Sequence, residues 1–390
     1  MTIAIKKELF VCGENDFSTV TNELVLPLAM SQLRGQLTMT KLITVNTKDE
    51  SKKKGDEVTV PLPVVFDEAT NFDPSIGSSP SAVNVDGVKL KLNHQPVQEF
   101  TMNDREFLSH ASENTIPSAM SGAIDSISRY INKAAFDLYA DIYNFSGNLT
   151  SLDPRNKASL IALRKEMHRN KVFNNKNLVI TTDTDADLLL EMSKVNETGD
   201  QTVVNEGFIG RKYGYDIYSD VQAPLHTAGT ASDVNGILTT GINLAGSPVI
   251  RLSGVEEGAT FNRGDIIVVA GGYKASVAEP TVADASGYVE VVLSGGLRTP
   301  LVAGLAVEVI GDHPVDLGFT KEAFIIGFRE LESPGVAPGV SVASMTDPLT
   351  GISLRMLSWY NPSMEKTHYK VECLFGVKTV DPVRACRMGC

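Results

Sequence analysis

Little in these 390 residues is equipped for chemistry. Cysteine occurs only at Cys12, Cys373, Cys386 and Cys390, and the terminal Cys386-x3-Cys390 pair has neither a second pair nor a histidine nearby at metal-ligand spacing. The four read as free thiols of a reducing compartment. The histidines (94, 110, 168, 226, 313 and 368) are scattered without ligand spacing. There is no Gly-x-Ser-x-Gly, no His-Glu-x-x-His and no Gly-Lys-[Ser/Thr], so no catalytic residue, cofactor site or metal site can be named. No run of about 18 apolar residues offers a membrane span. Met1 to Phe10 lacks the apolar core and cleavage site of a secretory signal, so the chain is expected to stay in the cytosol. Internal repeats, which mark many fibre proteins, are missing. Positive charge is also short: 35 basic against 47 acidic residues give −12, which argues against a dedicated nucleic-acid binder.

The charge that is present is uneven. Residues 55–319 hold 19 basic and 34 acidic side chains, an acidic middle suited to a well-solvated surface. Residues 1–45 show only a modest helical pattern and read as an N-terminal arm. Residues 46–100 read as a long projecting β-loop. Lys52-Lys53-Lys54-Gly55-Asp56-Glu57 is a charged turn, Val58 to Pro63 a strand demoted to an edge by its prolines, and Asn71 to Ser81 is rich in Pro, Gly and Ser. Val83 to Val88 carries an Asp-Gly turn and Lys89 to Leu92 alternates. Its apolar content is too thin for a core of its own, so it should need a partner to lie on. Residues 117–143 predict the strongest helix, with Met120, Ile124, Ile127, Ile131, Ala134, Leu138 and Ile142 on one face. Pro117 stands in its first turn, and a rod of roughly 40 Å follows from the helical rise. A basic helix over Lys157 to Asn170 turns Leu160, Leu163 and Met167 inward and Arg164, Lys165, His168 and Arg169 outward. A strand over 178–182 leads to a helix opened by Asp183, and 207–218 form a glycine-punctuated turn and strand. From about 226 to 312 short strands recur roughly every ten residues without helical period, the pattern of a small β-barrel or sandwich. The tail, Ile352 to Tyr360 and Thr367 to Val380 about Asn361-Pro362-Ser363, reads as a long hairpin.

Three motifs were weighed. Asp183-x-Asp185-x-Asp187 resembles the start of a calcium loop, but Leu188 and Lys194 stand where that loop needs Gly and Glu, so a helix N-terminus capped by Asp183 is preferred. Arg263-Gly264-Asp265 matches an adhesion tripeptide, but a Gly-Asp turn into the strand at Ile266 explains it without a partner and is preferred. The basic helix lacks the interleaved aromatics of a single-strand platform and reads as a solvated face or a subunit contact.

The order of these pieces resembles the major capsid proteins of tailed phages, whose fold is named for phage Hong Kong 97. Residues 53–63 look like the way into that family's extended loop, Val85 to Phe100 like its return, and 117–143 like its spine helix. The Gly-x-x-Gly-x-x-x-Gly-Tyr turn at 207–219 resembles the point where such chains rejoin their sheet. The span 254–270 is similar to the inserted barrel of the short-tailed Salmonella-type coat proteins, and Asp316 to Phe324 with Leu374 to Pro382 resembles the C-terminal half of that branch. Residues 1–40 match nothing in it. The resemblance implies an α+β Hong Kong 97-type fold. Its parts would be an arm (1–45), an extended loop (46–100), a peripheral domain with the spine helix (101–156, completed by part of 352–390), an apical domain (157–225 and 313–390, with the C-terminal hairpin) and an inserted barrel (226–312).

It further implies a non-enzymatic subunit in the virion, assembled in host cytoplasm through hexamers and pentamers into an icosahedral shell. The shell would enclose double-stranded DNA without sequence-specific contacts, with scaffolding and portal proteins as partners and no membrane. The loop and arm would lie across neighbours, and Lys52, Lys53, Lys54, Arg164, Lys165 and Arg169 are the candidate subunit-contact residues. An adhesion or fibre protein displaying its β-domain, and an enzyme built from scattered carboxylates, remain as alternatives.

Overall fold

The computed structural model describes residues 37–46, 57–61, 87–103, 115–147, 154–192, 209–241, 243–331, 339–346 and 351–389. Lys52, Lys53, Lys54, the pieces at 71–81 and 83–86, most of the N-terminal arm, Cys12 and Cys390 lie outside them. Among the described residues, mixed α and β content, dominated by strands, surrounds three large cores with two small clusters beside them.

The first core lies between a helix and a sheet. Helix α1 covers Thr115–Phe136, and the apolar stripe read from sequence is buried along it: Met120, Ile124, Ile127, Ile131 and Ala134. At 22 residues it is about 33 Å long, shorter than expected. The predicted rod breaks because Asp137–Asp141 tightens into a 3-10 turn. The carbonyls of Tyr139, Ala140 and Asp141 accept hydrogen bonds from side chains of Arg387, Ser276 and Ser294. Leu138 and Ile142 stay buried past the break. The α1 stripe packs on a sheet ordered 44–46, 324–329, 366–379, 353–361, 340–346, with 97–103 added beside 366–379. The C-terminal hairpin is therefore 353–361 with 366–379, each limit one residue from its predicted place.

The ribbon formed by 57–61 and 87–91 lies over that sheet. Val58 and Leu90 are its buried residues, packed on Ile325. Gly87 pairs with Pro61 at the end of the ladder, and the Asp86 half of the expected Asp-Gly turn lies outside the described residues. The chain then crosses the sheet at His94, bridged to Phe375. Gly376 permits the crossing: a Cβ there would stand 2.2 Å from the Lys91 carbonyl oxygen.

The second core belongs to a sheet ordered 145–146, 385–388, 316–320, 176–180, 215–219, 211–212. Helix α2, Lys157–Arg169, lays Leu160, Leu163 and Met167 on it, opened by an Asn156–Ser159 capping box. Helix α3, Thr182–Met192, does not start at Asp183. Thr181 precedes it, its hydroxyl accepting from the Thr184 backbone N–H and its carbonyl from that of Asp185. Asp183 stands in the first turn instead, where the dipole still favours it.

The third core belongs to residues 227–312. Residues 227–312 leave and rejoin the chain through a two-strand ladder, Leu225–His226 with His313–Pro314. Inside it, strands run 273–276, 266–269, 306–309, 237–239, 249–253, 288–292, all antiparallel. The first and last are joined by Ala278 N–H to Val292 O and Ser294 N–H to Ser276 O, so the hydrogen bonding returns on itself. Its interior is Ile250, Leu252, Phe261, Ile267, Val291 and their neighbours.

Candidate functional site

The densest polar construction among the described residues is the base of this inserted body, where it meets the 3-10 turn after α1 and the strand 385–388. Arg387 is fully buried in the middle. Its guanidinium donates from Nε and Nη2 to the Tyr139 carbonyl (3.1 and 2.7 Å), and from Nη1 to the Gly264 carbonyl (2.7 Å). Nη2 also reaches Ser276 Oγ at 3.3 Å, and the group lies 4.9 Å from the Tyr139 ring centre. Burial lowers its pKa to about 10, with Tyr139, Asp265 and Asp141 opposing, so it stays charged at neutral pH. One side chain thus fastens the C-terminal strand, the end of α1 and the inserted body together.

The Arg263-Gly264-Asp265 tripeptide is part of this construction. Asp265 is fully buried, accepting from His226 Nε2 at 2.8 Å and from the backbone N–H groups of Gly229 and Asn262. His226 Nδ1 shares a 2.9 Å hydrogen bond with the Tyr139 hydroxyl. Gly264 has φ +94°, and its carbonyl goes to Arg387. Arg263 pairs with Asp141 at 3.2 Å. A buried aspartate cannot be offered to a receptor, so the motif carries no support for an adhesion protein. His313, also fully buried, packs 5.0 Å from the His226 ring. Burial first, then Arg387 nearby, hold its pKa down to about 3.

A second contact binds the insert to α2. Lys274 pairs with Glu166 at 3.3 Å and donates to the Phe145 carbonyl. Arg298 stacks 3.5 Å over Tyr143 and donates to the Lys274 carbonyl. Three of the insert's four basic residues, Arg263, Lys274 and Arg298, are therefore spent on its base, and the fourth, Arg251, pairs with Glu290.

Beneath, Arg155 and Asp316 form a buried pair at 3.2 Å, with Thr181 and Thr184 also donating to the carboxylate. Burial raises the Asp316 pKa against those donors. In the helix-bearing sheet, burial pushes Glu372 up, but hydrogen bonds from Arg355 and Lys370 outweigh it and hold it below the usual range.

The predicted contact residues fall apart from this base. Arg164, Lys165 and Arg169 are exposed along α2; Arg164 donates to the Tyr213 carbonyl at 3.2 Å and Arg169 pairs with Glu166 at 3.4 Å. His168, expected outward, is half-buried against Lys176, 3.0 Å away. Asp183, Asp185 and Asp187 do not converge: Asp187 accepts from the Arg155 backbone N–H, and Asp185 is raised by burial. Cys373 and Cys386 are buried free thiols, Cys386 with its pKa pushed up to about 12 by burial. Among the described residues no group of three His, Cys, Asp or Glu is placed to hold a metal, and no helix is long and apolar enough to cross a membrane. Sequence reading missed the Arg387 construction. Its only signal is an arginine inside the apolar stretch Ala385-Cys386-Arg387-Met388.

No family model matches the chain, and no curated protein matches it either. Among solved structures, a capsid of the cyanophage P-SCSP1u aligns with TM-score 0.46 at 11% identity over 89% of this chain and 86% of that one. The mature capsid of bacteriophage PhiM1 aligns with TM-score 0.46 at 10% identity over 91% and 87%. A structure from Mycobacterium phage Che8 aligns with TM-score 0.50 at 10% identity over 90% of both chains. At that identity the likeness is one of fold alone: the chain shares the fold of the phage Che8 structure over 90% of both chains.

Proposed function

We propose that this chain is the major capsid protein of a tailed bacteriophage, assembling through hexamers and pentamers into an icosahedral shell around double-stranded DNA. The observation that carries the reading is the whole-length fold likeness, covering 90% of this chain and 90% of the phage Che8 chain, with nothing large left over for another task. The described residues support it from a second side. Their strongest polar groups serve to fasten the cores together, as a rigid tile requires.

On this reading the subunit is non-enzymatic and resides in the virion after assembly in host cytoplasm. Its function lies in interfaces closed by symmetry. Residues 226–312 are an inserted β-barrel of the kind resembling the Salmonella-type branch, and they stiffen the tile. Scaffolding and portal proteins are its partners during assembly. Lys52, Lys53, Lys54, Arg164, Lys165 and Arg169 are subunit contacts. The acidic middle of the chain suits a wall that does not trap packaged DNA by releasing counterions.

The test is negative-stain electron microscopy with sedimentation, on the protein expressed alone and with neighbouring genes. Closed shells, tubes or curved sheets tens of nanometres across are expected. A sharp small oligomer under every condition would sink the proposal.

A further inference from the structure

The positive charge of α2 continues beneath its surface. Lys176 opens the strand 176–180 and runs under the last turn of the helix, only 2% exposed. Its ammonium donates to His168 Nε2 at 3.0 Å and lies 5.1 Å from the centre of the Tyr215 ring. No carboxylate is among its partners. Arg155 and Arg387 are as deeply buried, but the first has Asp316 and the second a set of backbone carbonyls. A buried ammonium without a counter-charge is costly, because nothing offsets its lost hydration.

Two more groups belong to the same place. Arg164, one turn before His168 on α2, donates to the Tyr213 carbonyl at 3.2 Å and has no carboxylate partner either. The Tyr215 hydroxyl is buried without a hydrogen-bond partner. Burial lowers the pKa of Lys176, with Arg164 adding to the fall; for His168 burial acts first, then Lys176 and Arg164. Burial raises the Tyr215 pKa, with Cys386 adding to the rise and Arg164 opposing it. The carboxylates nearby are engaged elsewhere: Glu166 with Lys274 and Arg169, and Asp216 with Arg211. The cluster opens on the outer side of α2, where Arg164 is exposed and His168 half-buried.

We propose that Arg164, His168, Lys176 and the Tyr215 hydroxyl form a binding site for a phosphate-type oxyanion. A guanidinium fork, an ammonium, a ring nitrogen and a hydroxyl on three elements are donors of different shape. They suit the spread oxygens of a tetrahedral anion better than the flat pair of a carboxylate. His168 has a definite part. Its Nε2 now accepts from Lys176, and a dianion beside the two favours a proton on that nitrogen, so that both donate and binding takes up a proton. A free phosphate ion and a nucleic-acid backbone offer the same oxygens. The site lies within one subunit, so it does not depend on whether the chain builds a shell.

The experiment is calorimetric titration of the full chain with inorganic phosphate in chloride buffer. One saturable site per chain is expected. Arg164→Gln, at an exposed position, should weaken it about tenfold, the worth of one charge-assisted hydrogen bond. Lys176→Met should remove it. No saturable binding at millimolar phosphate, or unchanged affinity in Arg164→Gln, would overturn the proposal. Sulfate, which stays a dianion through neutral pH, supplies a readout that needs no change at the buried lysine. The His168 resonance, identified by its loss in His168→Gln, should titrate at higher pH with sulfate than without, and an unchanged titration would also overturn the site. Competition by a duplex DNA oligomer would assign the site to nucleic-acid phosphate, and phosphate binding that DNA leaves unchanged would assign it to the free ion. Either result supports an oxyanion site.

Discussion

The inserted body and the ribbon of residues 57–61 and 87–91 are held to the chain by different forces. The insert has a core of its own, and its base is fixed by buried charge: Arg387 on two backbone carbonyls, Asp265 on His226, Lys274 on Glu166. The ribbon has Val58 and Leu90 on Ile325, plus Glu57 with Lys89 and Lys91, pairs at 3.3 and 3.7 Å that are largely exposed. Such exposed pairs add little to stability, whereas losing a buried charged donor leaves its partners dry and unpaired. Among the described residues the same chain therefore builds one appendage with a core of its own and another whose contacts within the subunit are few. If the chain builds a shell as proposed, that difference has a use. A fixed insert keeps its orientation from copy to copy, and a lightly held ribbon is left for a neighbour to bind.

Removing the centre of the fixed appendage should have the largest effect. Arg387→Ala is expected to cost about 3–5 kcal/mol, read as a shift in urea midpoint at constant slope, because the Tyr139 and Gly264 carbonyls lose their buried donor. Residues 226–312 expressed alone should still give a dispersed amide spectrum, since their core lies wholly within them. A loss of fold there would place the insert's stability in the base instead.

The next effect comes from pH. His313 is held neutral by burial, its pKa down at about 3, while the unfolded chain takes up a proton near 6.5. Stability is full above pH about 6.5 and falls as pH drops toward 3, by about 1.4 kcal/mol per unit within that window. His313→Phe should flatten the slope relative to wild type; an unchanged slope would assign the acid sensitivity elsewhere.

On the ribbon, Val58→Ala should cost only about 1–2 kcal/mol, the loss of two buried methyl-sized groups in a three-residue cluster. Its effect on assembly should be far greater than on subunit stability, and equal effects would remove the contrast. Smallest of all, Arg164→Gln, Lys165→Gln and Arg169→Gln together should move the urea midpoint by no more than about 0.5 kcal/mol per site, since all three are exposed. Particle yield from the same variant tests whether they are subunit contacts.

What the sequence made legible and what it hid have separate physical causes. The α1 stripe, the inward face of α2, the C-terminal hairpin and the strand rhythm of 226–312 follow from apolar spacing, which reports burial directly. The end of α1 was overextended. Leu138 and Ile142 keep the helical spacing, but the backbone tightens where Arg387 and two serines of the insert take its carbonyls. Those partners lie more than 130 residues away in the chain, beyond any local pattern. Separation in the chain, 39 residues for Asp265 with His226 and 161 for Asp316 with Arg155, also hid the roles of these carboxylates, whose partners meet them only once the sheets have formed. For Asp183, the neighbouring Thr181 took the cap because its hydroxyl and carbonyl already face the first turn.

Hydrogen exchange on free and assembled subunits tests the central contrast most directly. The account predicts that amides at 264–276 and 385–388 are slow in the free subunit and unchanged on assembly. Those at 57–61 and 87–91 should exchange readily in the free subunit and become strongly protected in the particle. Equal protection of the ribbon before and after assembly would contradict it.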